Sequence, residues 1–120
     1  MSNKSTVFVV QHAQLKVDGH WEKRDISDAE RFGSLVELLP AGPMVRSTIH
    51  AAGTLRHKLR AFGDADYLLC MGDPALIGMA CAIASQRNAG RYKLLVWDKE
   101  VRAYTPIQVD LNARVGAGVE

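Results

Sequence analysis

His12, Asp73 and Asp98 are the residues whose chemistry and spacing could make a reactive site. Each lies at the end of a short apolar run, residues 6–10, 67–71 and 92–97. A histidine beside carboxylates could act as a general base or hold a metal ion. That requires the three runs to be strands ending on one edge of a sheet. Gly72-Asp73-Pro74 offers a second chemistry, because a glycine leading into a helix N-terminus presents backbone N–H groups to an anion. Yet Asp73 already puts a carboxylate there and Pro74 removes a donor, so an ordinary N-cap turn explains the same residues. Neither Gly-x-Gly-x-x-Gly nor a Walker-type Lys-Ser/Thr is present. The candidate ligand set is His12, Gly42, Gly72, Asp73 and Asp98, all placed after expected strands.

A second set is electrostatic. No acidic residue lies between Glu37 and Asp64, while Arg46, Arg56, Lys58 and Arg60 fall in that interval with His50 and His57. Such a patch could contact nucleic-acid phosphates or an acidic protein. A solvated helix face gives the same pattern, and no aromatic residues interleave with the charges as single-strand binding would want. Trp21, in a polar stretch, is a candidate partner contact.

Other chemistries find little support. There is no Gly-x-Ser-x-Gly elbow, and neither Cys70 nor Cys81 has a histidine partner in a helix-start setting. Both cysteines read as small buried hydrophobes, one on a strand and one on a helix, with no disulfide framework and no ligand cluster for a metal. No catalytic residue, metal or cofactor is expected. The net charge of +2 is too mild to argue for non-specific nucleic-acid binding. The opening residues lack the apolar core of a signal peptide, and the longest apolar run is about half the ~20 residues that span a bilayer. The expectation is a soluble protein in a reducing cytoplasm, with no membrane partner.

The elements that would position these residues can be read along the chain. Residues 6–10 are a β-branched strand. Residues 13–26 form an excursion, either a hairpin turning at Asp18-Gly19 or an irregular loop. Ser27 and Glu30 suggest a capping box on a single helical turn stopped by Gly33. Residues 34–39 are a strand ended by Pro40. A helix from Ser47 or Thr48 to about Phe62 carries the stripe Ile49, Ala52, Leu55, Leu59 and Phe62. Residues 67–71 are a strand, 74–87 a helix capped by Asp73, and 92–97 a strand. Residues 103–111 are a last strand, at an edge because Pro106 cannot donate to a ladder. The second helix is apolar on every side over its first ten residues, which implies cover on both faces. Gly78 and Ala82, one turn apart, would permit close approach of a second copy and hence a homodimer. Two strand–helix–strand crossovers should be right-handed and join parallel strands. The fold expected is α/β, a single small domain over residues 1–111. It has a mixed, mostly parallel sheet of about five strands, two main helices and a C-terminal β-hairpin at one edge. Residues 112–120 read as a flexible tail. The position of the first strand in the sheet stays open.

Several stretches resemble small proteins encoded by tailed bacteriophages and prophages. They are residues 7–11, 33–40, 66–69 and 72–78, then 93–98 leading to 107–111. The resemblance covers most of the chain except the excursion and the tail, and it brings over no catalytic residue. It implies a phage or prophage origin and action in the host cytoplasm. The expected function is that of a non-enzymatic accessory protein binding a host or phage protein, in nucleic-acid metabolism or host takeover. The alternatives are a nucleotide- or phosphate-binding domain using Gly72-Asp73-Pro74, and nucleic-acid binding through residues 56–60.

Overall fold

The first strand, β1 (Thr6–Gln11), is buried on both sides, which is why its sequence is a continuous apolar run. In the computed structural model, which describes residues 5–40 and 48–114, it is followed by β2 (Gln14–Val17), β3 (His20–Lys23) and a 3₁₀ turn (Ser27–Phe32). Then come β4 (Ser34–Leu39), α1 (Thr48–Lys58), β5 (Tyr67–Leu69), α2 (Pro74–Arg87), β6 (Arg91–Asp98) and β7 (Ala103–Asp110). The main sheet has five strands in the order β4-β1-β5-β6-β7. The first four run parallel, and β7 is antiparallel at one edge. The expected α/β class, with its mostly parallel sheet, two main helices and C-terminal edge hairpin, is the fold observed.

Handedness explains the layering. The crossovers β4–α1–β5 and β5–α2–β6 both travel toward β7, so a right-handed rule puts both helices on one face. The connection from β1 to β4 travels the other way and must cross the opposite face. Accordingly Leu55 and Leu59 pack with Leu76, Ala80, Phe8 and Leu68 in one core. Ile26, just before the 3₁₀ turn, and Ala29 within it pack with Val7, Val9, Leu95 and Tyr104 in the other. Alternate residues of β1 feed alternate cores, as the two-residue period of a strand requires.

Several local expectations change. α1 ends at Lys58, not Phe62, and the chain closes with a tighter turn in which Phe62 N–H donates to Leu59 O at 3.0 Å. Ile49 is 85% exposed, and the packed stripe runs Ala51, Leu55, Leu59 and Phe62. No Ser27 capping box forms. Asp25 Oδ1 instead accepts Ser27 N–H at 2.9 Å, and Ile26 is the residue before the turn. β5 is only three residues long, because Met71 N–H folds back to Leu69 O at 2.9 Å and Gly72 turns the chain at φ +111°. The outer strip of α2 is exposed at Ala75, Gly78 and Ala82. Those positions are small, so little apolar area meets solvent. Cys70 and Cys81 are half-buried, not fully buried. Pro106 sits on the edge strand opposite Leu95. The expected cap Ser47 and the end of the tail, residues 115–120, lie outside the described residues. Asn112, at the start of that tail, is tied by its Nδ2, which donates to Ala89 O at 2.8 Å.

Candidate functional site

The carboxyl ends of the parallel strands form one rim, the usual place for a ligand in such sheets. At its centre, where β1 adjoins β5, stands Gln11, only 4% exposed. Its Oε1 accepts Asp73 N–H at 2.9 Å, and its Nε2 donates to Pro40 O at 3.2 Å. Its own N–H donates to Met71 O at 3.1 Å. One side chain thus ties the ends of β4, β1 and β5 together. Gly72 is needed beside it, because a Cβ there would stand 2.4 Å from Gln11 Cβ.

The candidate ligand residues hold separate posts on this rim. Asp73 caps α2, accepting Ala75 N–H at 2.8 Å. Asp98 accepts Glu100 N–H at 2.9 Å in the β6–β7 turn. His12 Nε2 donates to Arg24 O at 2.6 Å, and its Nδ1 lies 3.3 Å from Glu37 Oε2. None of the three hydrogen-bonds another. Gly42 lies outside the described residues, as does Arg46. Among the described residues, no three of His, Cys, Asp and Glu gather as metal ligands.

The basic set is partly engaged by the protein itself. Lys58 Nζ donates to Glu37 O at 3.1 Å, and Arg60 Nη1 donates to His57 O at 2.7 Å. Arg56 is exposed.

Two further features stand apart from these residues, and the first is the hairpin alternative of the excursion, turning at Asp18-Gly19. It makes an arm. β2 and β3 form a separate antiparallel hairpin, Leu15 opposite Glu22 and Lys16 opposite Trp21. Neither core includes a residue of this hairpin. Leu15, Val17 and Trp21 are exposed, Trp21 at 63%. Its root is pinned at β4 by Glu37, which accepts Lys23 Nζ at 3.0 Å and faces His12. The Lys23 hydrogen bond, joined by that of His12, holds the Glu37 carboxyl below its ordinary value against the opposing cost of partial burial.

The second is a cleft of about 460 Å³ between the β6–β7 turn and residues 24–28. Met71, Trp97 and Tyr104 form its apolar side. Trp97 and Tyr104 meet edge-on, with ring centroids 5.0 Å apart. Arg24, Lys99 and Arg102 bring positive charge, and Asp25 and Asp28 negative charge. Burial pushes the Tyr104 hydroxyl above its ordinary pKa.

A sequence profile for the family described as Phage Pam3 gp32-like protein matches residues 5–111. The chain belongs to that family. It is therefore a phage-encoded protein, as the resemblance implied. No curated protein and no solved structure matches the chain. The match to the Phage Pam3 gp32-like family runs from just before β1 to just after β7, so it takes in the arm, the rim and the cleft alike. Among the described residues, no helix is long and apolar enough to cross a membrane.

Gln11 falls on the strand-end edge beside His12 but outside the candidate ligand set, because an amide has no pKa and belongs to no motif. Its one signal was a polar side chain closing a run of buried valines. Trp97 and Tyr104 stand on either side of the β6–β7 turn, and the antiparallel register of the two strands sets them opposite each other.

Proposed function

We propose that this phage-encoded protein works by binding another protein, of host or phage origin, in the host cytoplasm, and that the β2–β3 arm makes the contact. The observation that carries this is the arm's exposure. A lone two-stranded hairpin is marginal in water, and this one presents Leu15, Val17 and Trp21 with no core behind them. Exposed tryptophan is typical of the anchors on which protein interfaces depend.

Phosphate binding at Gly72-Asp73-Pro74 is less well supported. Asp73 N–H is already taken by Gln11 and Ala75 N–H by Asp73 itself. Nucleic-acid binding through residues 56–60 is weakened in the same way by the hydrogen bonds of Lys58 and Arg60.

The test is affinity capture from extract of the infected host, comparing the native chain with Trp21→Ala and with a Leu15→Ser/Trp21→Ala pair. A protein retained by the native chain and lost with both variants, all three being folded, supports the arm. The same captured set with all three variants removes it. Sedimentation of the purified protein distinguishes a second copy as the partner, since a dimer would then dissolve in Trp21→Ala.

A further inference from the structure

We propose that the cleft walled by Trp97 and Tyr104 binds a nucleoside phosphate. It is a different site from the arm and from the Gly72-Asp73 turn, and does not depend on the arm's role.

Three observations converge. The first is unspent positive charge. Arg24, Lys99 and Arg102 all line the cleft. Among the described residues, none of their side chains makes a hydrogen bond or salt bridge, although Asp25 and Asp28 line the same space. Surface cations near carboxylates usually pair. Three left open around one cavity offer themselves to an anion, and guanidinium groups suit phosphate oxygens in particular.

The second observation is the backbone of Arg102. Its φ is +54°, in the left-handed region that glycine and asparagine fill at little cost and a long side chain does not. The turn would be more relaxed with glycine. An arginine held there puts a guanidinium on the cleft wall at a conformational cost, as is common where a side chain serves a ligand.

The third is the wall itself. Trp97 is 43% exposed and braced edge-on by buried Tyr104. A braced, partly exposed indole is a stacking surface for a base, sequence-tolerant because every base has a π-face. Asp25 and Asp28 can accept from sugar hydroxyls or an exocyclic amine. They also work against a bare inorganic anion, which gains nothing from them and is repelled. A volume of about 460 Å³ falls within the ordinary range for small-molecule sites. The place is also apt, since Met71 and Trp97 lie at the carboxyl ends of the adjacent strands β5 and β6.

The test is isothermal titration of the full chain with ATP and GTP, with inorganic phosphate and adenosine as controls. Saturable binding of at least one nucleotide is expected, at least tenfold tighter than either control. Arg102→Gly is the decisive variant. Glycine suits φ +54°, so thermal unfolding should stay level or rise, while nucleotide affinity falls tenfold or more. Trp97→Leu should lose affinity to a similar degree. Trp21→Ala should leave it unchanged, so that failure of this site and failure of the arm are told apart. Absence of saturable binding to both nucleotides, equal binding of inorganic phosphate, or undiminished affinity in folded Arg102→Gly would each overturn the proposal.

Discussion

The amide oxygen of Gln11 accepts the backbone N–H of Asp73 at 2.9 Å, joining the end of the first strand to the start of the second helix. At a sheet's switch point this is where a phosphate often sits. Here a neutral side chain of the protein itself occupies that place.

Gln11→Ala should therefore destabilise the fold by about 1–3 kcal/mol, the usual cost of stranding buried hydrogen-bond partners. Gly72→Ala should cost more, combining a φ of +111° with a 2.4 Å approach to Gln11 Cβ. Because alanine retains that Cβ, Gln11→Ala should not rescue Gly72→Ala. Urea unfolding of both singles and the double decides this, and a rescued double would place the clash on the Gln11 amide and not on its Cβ.

Asp73→Ala removes the cap of α2 and should lower stability by about 1 kcal/mol, with Asp73→Asn close to native. Thermal unfolding of the two variants side by side gives the comparison. Equal losses would mean that charge, not the capping hydrogen bond, matters at this position.

Glu37 should govern part of the acid sensitivity. Its pKa in the folded chain lies below the ordinary 4.5, chiefly through the Lys23 hydrogen bond. A group lowered on folding stabilises at pH above its unfolded value and loses that effect as pH falls through the folded one. The melting temperature of the native chain should thus exceed that of Glu37→Gln near neutrality, and the gap should close below pH 4.5. A gap independent of pH would assign Glu37 a purely steric role.

The Cys70 thiol, whose Sγ donates to Leu68 O at 4.0 Å, and the Cys81 thiol of α2 influence each other's titration. The neighbouring Cys70 thiol lowers Cys81 to about 7 against the opposing effect of burial, while Cys70 itself is raised. Iodoacetamide should modify Cys81 first, with a rate that climbs as pH passes about 7. Cys70→Ala should return that midpoint toward the ordinary 9.0. Mass-spectrometric mapping of the label reads both, and preferential labelling of Cys70 would reverse the assignment.

The arm makes the opposite kind of prediction. Trp21→Ala should change folding stability by no more than about 0.5 kcal/mol, as for exposed positions remote from the core. A large loss in chemical denaturation would mean that the indole packs on the body of the protein.

The elements were mostly legible because two-residue and 3.6-residue periodicities are local. The apolar run of β1, the Asp73-Pro74 helix start and Pro106 at an edge all follow from single-residue physics. What could not be read was lateral. That β1 slots between β4 and β5 depends on crossover direction, not on its own residues. The apolar spacing runs past the end of α1 because Leu59 and Phe62 are buried in the turn beyond it. Ile49 has helical spacing but lies at the first turn, off the packed face. At the candidate site the charged residues carry the recognisable chemistry, whereas the centre of the rim is an amide, and the cleft is assembled from three separated segments.

Both margins of the main sheet are poor templates for another strand. β7 carries Pro106, which has no N–H to give, and on β4 the Glu37 carbonyl is occupied by Lys58. Growth of the main sheet by strand addition, and with it filament formation at high expression, is discouraged at either end, which leaves the separate β2–β3 arm as the place where strand edges stay open.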